Sequence, residues 1–269
     1  STGAVISFMM DCHEEGIVSE EEADGLDLNW GNTETIVELV ERIAKRDGIG
    51  RILGEGTRRA AQEIGKGSNR LAIQVKGLEG PAHDARSGKT LATMYAAGNR
   101  GMCHIHPLEG MAYDSSKNDF GLVPYGVPDP NTVDRFGERG KGRIAKTLQD
   151  FGLVPDIVGI CKFYIYKGLA PEEIAQMVSL LTGWNIDGKE LLEIGDRIYT
   201  LQRMFNVREG IGKTNDTLPV RARKLPEFGA YSTIKECEIK TFDSMLEEYY
   251  EARGWDKKTG VPTATKLRQ

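Results

Sequence analysis

The sequence predicts a mainly α-helical fold, on three observations. Apolar residues recur at spacings of three and four through most of the chain, capping residues punctuate those runs, and strands do not alternate with helices as a βαβ sheet requires. A chain of 269 residues, 39% apolar and 28% charged, can bury roughly 70–75% of its unfolded surface, so a core needs no disulfide or metal to hold it.

The elements follow in order. Val5, Ile6, Met9 and Met10 open a helical pattern almost at the first residue. Asn32 is a natural N-cap for a helix whose apolar residues Ile36, Val37, Leu39, Val40, Ile43 and Ala44 stop at Asp47-Gly48. The segment from Ile52 to Ile64 repeats the pattern and ends at Gly65, and Leu71 to Val75 is the one strand-like piece. From Lys76 to Pro130, Gly and Pro interrupt the chain and three of the four histidines cluster, which predicts functional loops around one short helix, Thr90 to Ala97.

Helices then return. Arg143 to Phe151 leads to Pro155-Asp156, where the Asp is placed to cap a helix reaching Tyr166. Pro171-Glu172-Glu173 opens a helix that ends near Thr182-Gly183, with Pro at its first position and carboxylates in its first turn. Asp187 to Arg208 is the longest helix, with Leu191, Ile194, Ile198, Leu201 and Phe205 as its predicted apolar stripe, and Thr241 to Arg253 is the last. A boundary near residue 75 separates a small, partial helical domain (1–75) from a larger one (76–269).

Charge and composition exclude several functions. With 35 basic and 40 acidic side chains the net charge is −5, and no dense Lys/Arg cluster offers a footprint for nucleic acid. No apolar run approaches the ~20 residues of a membrane span. The cysteines Cys12, Cys103, Cys161 and Cys237 lie far apart without a CxxC pair, which fits a reducing cytoplasm. GxGxxG after a strand, the P-loop and GxSxG are all lacking, so neither a dinucleotide fold nor serine-hydrolase chemistry is supported.

Three segments hold candidate chemistry. His104 and His106, in Gly101-Met102-Cys103-His104-Ile105-His106, have the near-neutral pKa of a proton carrier, although a loop histidine can simply pack against backbone. A one-residue spacing is awkward for Cys103, His104 and His106 to converge on one metal. Lys76, Glu79, His83, Asp84 and Arg86 form a second charged cluster, able to hold an anion or only local ion pairs. Asp156-Ile157-Val158-Gly159-Ile160-Cys161-Lys162-Phe163 reads locally as a cap followed by a buried thiol.

Taken together and in order, these segments resemble the carboxy-terminal part of the tungsten-containing aldehyde:ferredoxin oxidoreductase family. The matching stretches are Asp24-Gly25-Leu26 through Trp30-Gly31-Asn32, Asp47-Gly48-Ile49-Gly50, Leu53-Gly54-Glu55-Gly56, Lys76-Gly77-Leu78-Glu79 through Asp84-Ala85-Arg86, and Arg100 to His104. Asp156 through Phe163, Asp216-Thr217-Leu218-Pro219 and Tyr249 through Asp256 complete them. The resemblance implies a tungsten bis-pterin, or its molybdenum equivalent, beside a [4Fe-4S] cluster, and oxidation of aldehydes to carboxylic acids with ferredoxin as acceptor.

It further implies that Asp156 and Ile160, in a variant of the family's DxxGLC motif, contact a pterin, and that Cys161 gives one thiolate to the cluster. His104 is then the proton-relay histidine, with His106, Cys103 and Arg86 lining or supporting its cleft. No counterpart of the family's amino-terminal cofactor-binding half is found, and the first pterin motif would run into Ser1-Thr2-Gly3. The chain therefore reads as the back half of an enzyme, with that half, ferredoxin and an aldehyde as partners and a homodimer as a further assembly. A different redox substrate within the superfamily, or a stand-alone helical binding module without catalysis, are the alternatives.

Overall fold

A computed structural model describes residues 1–269. Eleven α-helices carry the fold. In the first part, α1 (Thr2–Glu14) and α2 (Thr33–Lys45) are followed by the short α3 (Gly50–Leu53) and α4 (Thr57–Ile64). Asn32 caps α2 as its sequence implies, accepting from the backbone N–H of Thr35 at 3.2 Å. The expected helix from Ile52 to Ile64 is broken instead at Gly54-Glu55-Gly56. A carboxylate from far along the chain is responsible: Glu79 accepts the Thr57 N–H at 2.7 Å and so starts α4 afresh.

The expected strand also shrinks. Leu71 closes a 3-10 turn (Ser68–Arg70), and only β1 (Gln74–Val75) pairs, antiparallel, with β2 (Leu78–Glu79). The two-residue turn between them puts Lys76 and Gly77 at φ 54° and 89°, the left-handed geometry that a tight hairpin demands. Lys76 tolerates it because its ammonium is buried against Asp216 at 2.7 Å and the carbonyl of Ala96 at 2.7 Å.

The second part holds α5 (Lys89–Ala97), α6 (Gly110–Asp114), α7 (Lys141–Val158), α8 (Pro171–Thr182), α9 (Gly188–Arg208), α10 (Phe242–Arg253) and α11 (Ala264–Leu267). Helix α7 is the axis of this part, packed against α5, α9 and α10. Its crossings are made by glycines. A Cβ on Gly142 would stand 2.4 Å from the Tyr249 nitrogen on α10, and one on Gly195 of α9 would stand 2.2 Å from the Asp150 carbonyl oxygen. Backbones thus approach where only hydrogen fits.

Two expectations fail here. Helix α7 runs through Pro155 and ends at Gly159 in the left-handed conformation, so Asp156 lies in its last turn and caps nothing. Residues after Cys161 form a 3-10 helix (Lys162–Lys167) in place of an α-helix to Tyr166. The stripe expected on α9 is only partly inward: Leu191 is buried, yet Leu201 and Phe205 are 69% and 55% exposed. Gly195, Tyr199 and Arg203 face α7 and the buried ion pairs instead, because close approach and charge pairing decide the face.

Buried apolar side chains gather into two clusters, one drawn from Val5 to Ala72 and a larger one from Val75 to Trp255. An ion pair between Arg221 and Asp11 at 2.5 Å joins residues from the two parts. No helix is long and apolar enough to cross a membrane.

Candidate active site

The histidine loop is positioned by close backbone packing at both ends. At Gly101, φ is +107° and a Cβ would stand 2.5 Å from the Val75 carbonyl oxygen, which seats the loop on the β1–β2 hairpin. Further on, Pro107 lies against Gly152 of α7, where a Cβ would meet its carbonyl at 2.5 Å, and Leu108 is fully buried. One helical turn beyond Gly152 comes Asp156. His106 and Asp156 are therefore brought together, with Nδ1 3.8 Å from Oδ2.

Lys162 closes this cluster. Its ammonium donates to Asp156 Oδ2 at 2.9 Å and to the carbonyl of Ile105 at 3.1 Å, tying the end of the Asp156-to-Cys161 segment to the residue between the two histidines. Cys161 itself is exposed, and Asp156 keeps 47% of its side-chain surface exposed. Ile160 is half-buried and packs on the larger core.

His104 meets a neighbour that its motif does not mark. Its ring stacks on His83, with centroids 4.4 Å apart and planes 14° from parallel. His83 Nδ1 lies 3.1 Å from Glu109 Oε1, and the His83 carbonyl accepts from Tyr95 Oη at 2.9 Å. Burial, then the neighbouring His83, holds His104 below the usual imidazole range; burial, then the Lys162 charge, does the same for His106 against the opposing pull of Asp156. Both rings are thus disposed to be neutral near pH 7, with a lone pair free to accept a proton.

Arg86 is committed elsewhere. It forks onto Asp84 through Nε and Nη2, and its Nη1 donates to the carbonyls of Arg221 at 3.3 Å and Lys224 at 3.0 Å. It ties down the turn that carries His83. Cys103 lies 3.6 Å from Arg100 Nη1. Sequence reasoning singled out His104, His106, Asp156 and Cys161, and missed Glu109 and the pivot made by Lys162. Only the position of Lys162 next to Cys161 hinted at the latter, and nothing local marks Glu109.

Two surface grooves, of about 650 and 480 Å³, lie over the charged face of α2 and beside residues 220–244, and neither is lined by a histidine or a cysteine. No group of three or more His, Cys, Asp and Glu side chains converges to hold a metal ion within this chain.

The family described as aldehyde ferredoxin oxidoreductase, domains 2 and 3, matches residues 1–269. This chain belongs to that family. It is 33% identical over 264 residues to the tungsten-containing aldehyde ferredoxin oxidoreductase of Pyrococcus furiosus, and 32% identical over 264 residues to that of Thermococcus kodakarensis. In both cases the match covers 97% of this chain and 41% of the relative. The aliphatic sulfonate oxidoreductase, WOR-like subunit, of Pyrococcus furiosus is 28% identical over 281 residues, covering 100% of this chain and 39% of the relative. Among solved structures, the active site complex BamBC of benzoyl coenzyme A reductase with 1,5-dienoyl-CoA superposes at a TM-score of 0.68 and 22% identity, over 98% of this chain and 42% of that one, a likeness of fold. The chain thus spans about two fifths of the length of these aldehyde ferredoxin oxidoreductase relatives.

Proposed function

We propose that this chain is the carboxy-terminal portion of a tungstopterin, iron–sulfur oxidoreductase that converts aldehydes to carboxylic acids and passes the electrons to ferredoxin. The observation that carries this reading is the meeting of His106 with Asp156 at 3.8 Å and of Lys162 with Ile105 at 3.1 Å, which puts the DxxGLC-like segment beside the histidine loop. The cofactor, once bound, supplies the two-electron oxidation: aldehyde plus water becomes acid, two electrons and two protons.

The chain's own residues have simpler tasks. Asp156 and Ile160 would contact a pterin, and Cys161 would give one thiolate to a [4Fe-4S] cluster whose other ligands would come from outside residues 1–269. His104, neutral and with a free ring nitrogen, accepts a proton released by the oxidation. His106 and Arg86 support the cleft, the latter by holding the His83 turn. We also infer a division into domains at 1–75 and 76–269, parallel to the two apolar clusters, and a homodimer as a further assembly. The four thiols, all free, support a cytoplasmic setting.

A second reading keeps the cofactor and changes the substrate. The 28% identity to an aliphatic sulfonate oxidoreductase subunit over the whole chain supports it, since these domains alone then do not decide the substrate. Elemental analysis separates both from a helical binding module. The native protein containing this chain is expected to hold tungsten or molybdenum together with iron. Preparations that carry neither, while remaining folded, contradict the oxidoreductase reading.

A further inference from the structure

The histidine loop hangs from α9 by its root. Across residues 98–105, hydrogen bonds from outside the loop reach only Asn99 and Ile105. Lys162 serves Ile105, and everything that holds Asn99 comes from α9. The Asn99 side chain donates through Nδ2 to the Tyr199 carbonyl at 2.9 Å, its backbone N–H donates to Tyr199 Oη at 3.4 Å, and its own carbonyl accepts from Asn206 Nδ2 at 2.8 Å.

These groups share one face of the helix. Tyr199, Arg203 and Asn206 stand at i, i+4 and i+7. Arg203 reaches the approach to the loop as well: it forks onto Asp216 at 3.0 and 2.7 Å, Asp216 pairs with Lys76 at 2.7 Å, and Lys76 donates to the carbonyl of Ala96 in the last turn of α5. The end of α5 and the root of the loop are thus fixed to the same face, which is itself rigid. Tyr199 is fully buried, with the Arg253 guanidinium 4.1 Å over its ring and Trp255 stacked on it at 6.3 Å. The polar side that α9 turns inward thereby has a use. His104 makes no hydrogen bond of its own in the chain, so its ring is placed by the stack on His83 and by the backbone leading to it from Asn99.

We propose that Asn99 and Asn206 are positioning residues: by pinning the root of the histidine loop to α9, they set where the His104 ring stands. This inference rests on the reading of His104 given above.

The test is backbone hydrogen–deuterium exchange of the peptide spanning Asn99 to Ile105 in the intact holoprotein, measured beside kcat, KM and metal content. Asn206 is half-buried near the end of α9, so its variants are expected to fold. Asn206→Ala removes the donor, Asn206→Asp puts an acceptor where the Asn99 carbonyl needs one, and Asn206→Gln keeps an amide N–H within reach. In the first two, exchange across 99–105 is expected to rise about 2- to 10-fold, the share of one hydrogen bond. With it, kcat is expected to fall by up to about 100-fold, as a displacement of about 1 Å costs, while KM and metal content stay at parent values. Asn206→Gln is expected to recover part of both. Exchange that stays parent-like, or that rises equally over the whole chain, overturns the proposal, and so does a loosened loop with parent-like kcat in a protein that His104→Ala inactivates. If neither the loosened loop nor His104→Ala lowers kcat, the anchoring of the loop stands and the assignment of His104 falls.

Discussion

Replacing His104 with Ala in the intact holoprotein is expected to lower kcat by roughly 100- to 10,000-fold, the range that a positioned general base contributes, and to leave the proposed tungsten or molybdenum and iron bound. The size of the effect follows from its placement. His104 is half-buried, stacked on His83 and held below the ordinary imidazole range by burial, so no water-exposed side chain substitutes for it easily. The separation from cofactor binding follows from the chain's layout: Asp156 lies in the last turn of α7 and Cys161 just beyond it, whereas His104 lies on the histidine loop. Steady-state turnover with an artificial acceptor, measured beside metal content, checks this. Parent-like turnover shows that the ring only packs.

The second large effect is on stability. Arg253 is fully buried at the end of α10, where its guanidinium donates to Asp150 on α7, to Asp196 on α9 at 3.0 Å, to Gln149 Oε1 at 2.8 Å and to the Lys146 carbonyl at 3.2 Å. The same group lies 4.1 Å over the ring of Tyr199. One cation therefore joins the three helices that frame the larger core. Arg253→Met preserves most of the volume but leaves the buried Asp150 carboxylate stranded except for the partly exposed Lys146 at 2.6 Å, and breaking a buried pair costs up to about 3–5 kcal/mol. Denaturant titration at neutral pH measures it as a lowered midpoint with an unchanged slope. Adding Asp150→Leu removes the stranded charge and is expected to recover part of the loss, which a purely steric effect of Met does not allow.

The helices whose ends carry their own signals were legible in the sequence: Asn32 for α2 and Pro171 for α8 act as read, and α9 starts one residue after the expected Asp187, which caps it by accepting the Glu190 N–H at 2.8 Å. Failures arose where a distant residue overrode a local rule. Glu79 splits the helix expected from Ile52 to Ile64 by capping Thr57. Pro155 ends helices by its missing N–H, yet α7 continues through it and its carbonyl accepts from both Gly159 and Ile160, making a turn that no local propensity encodes. On α9, apolar spacing pointed to Leu201 and Phe205, whereas the paired Arg203 and the small Gly195 face inward.

The site divides in the same way. Residue types and motif order brought out His104, His106, Asp156 and Cys161, because their chemistry is local. The meeting of His106 with Asp156 was not readable, since it depends on Pro107 meeting the bare backbone at Gly152 and on Lys162 reaching Ile105. Glu109 has no local signal at all: its significance is the 3.1 Å approach to a ring from a different segment.

The central claim is that the exposed thiol at the end of the Asp156-to-Cys161 segment ligates a cluster completed from outside this chain. Iron content and low-temperature electron paramagnetic resonance of the Cys161→Ala holoprotein test it most directly. The expected result is loss or conversion of the [4Fe-4S] signal, with iron falling relative to tungsten or molybdenum. Parent-like iron content with an unaltered cluster spectrum contradicts it.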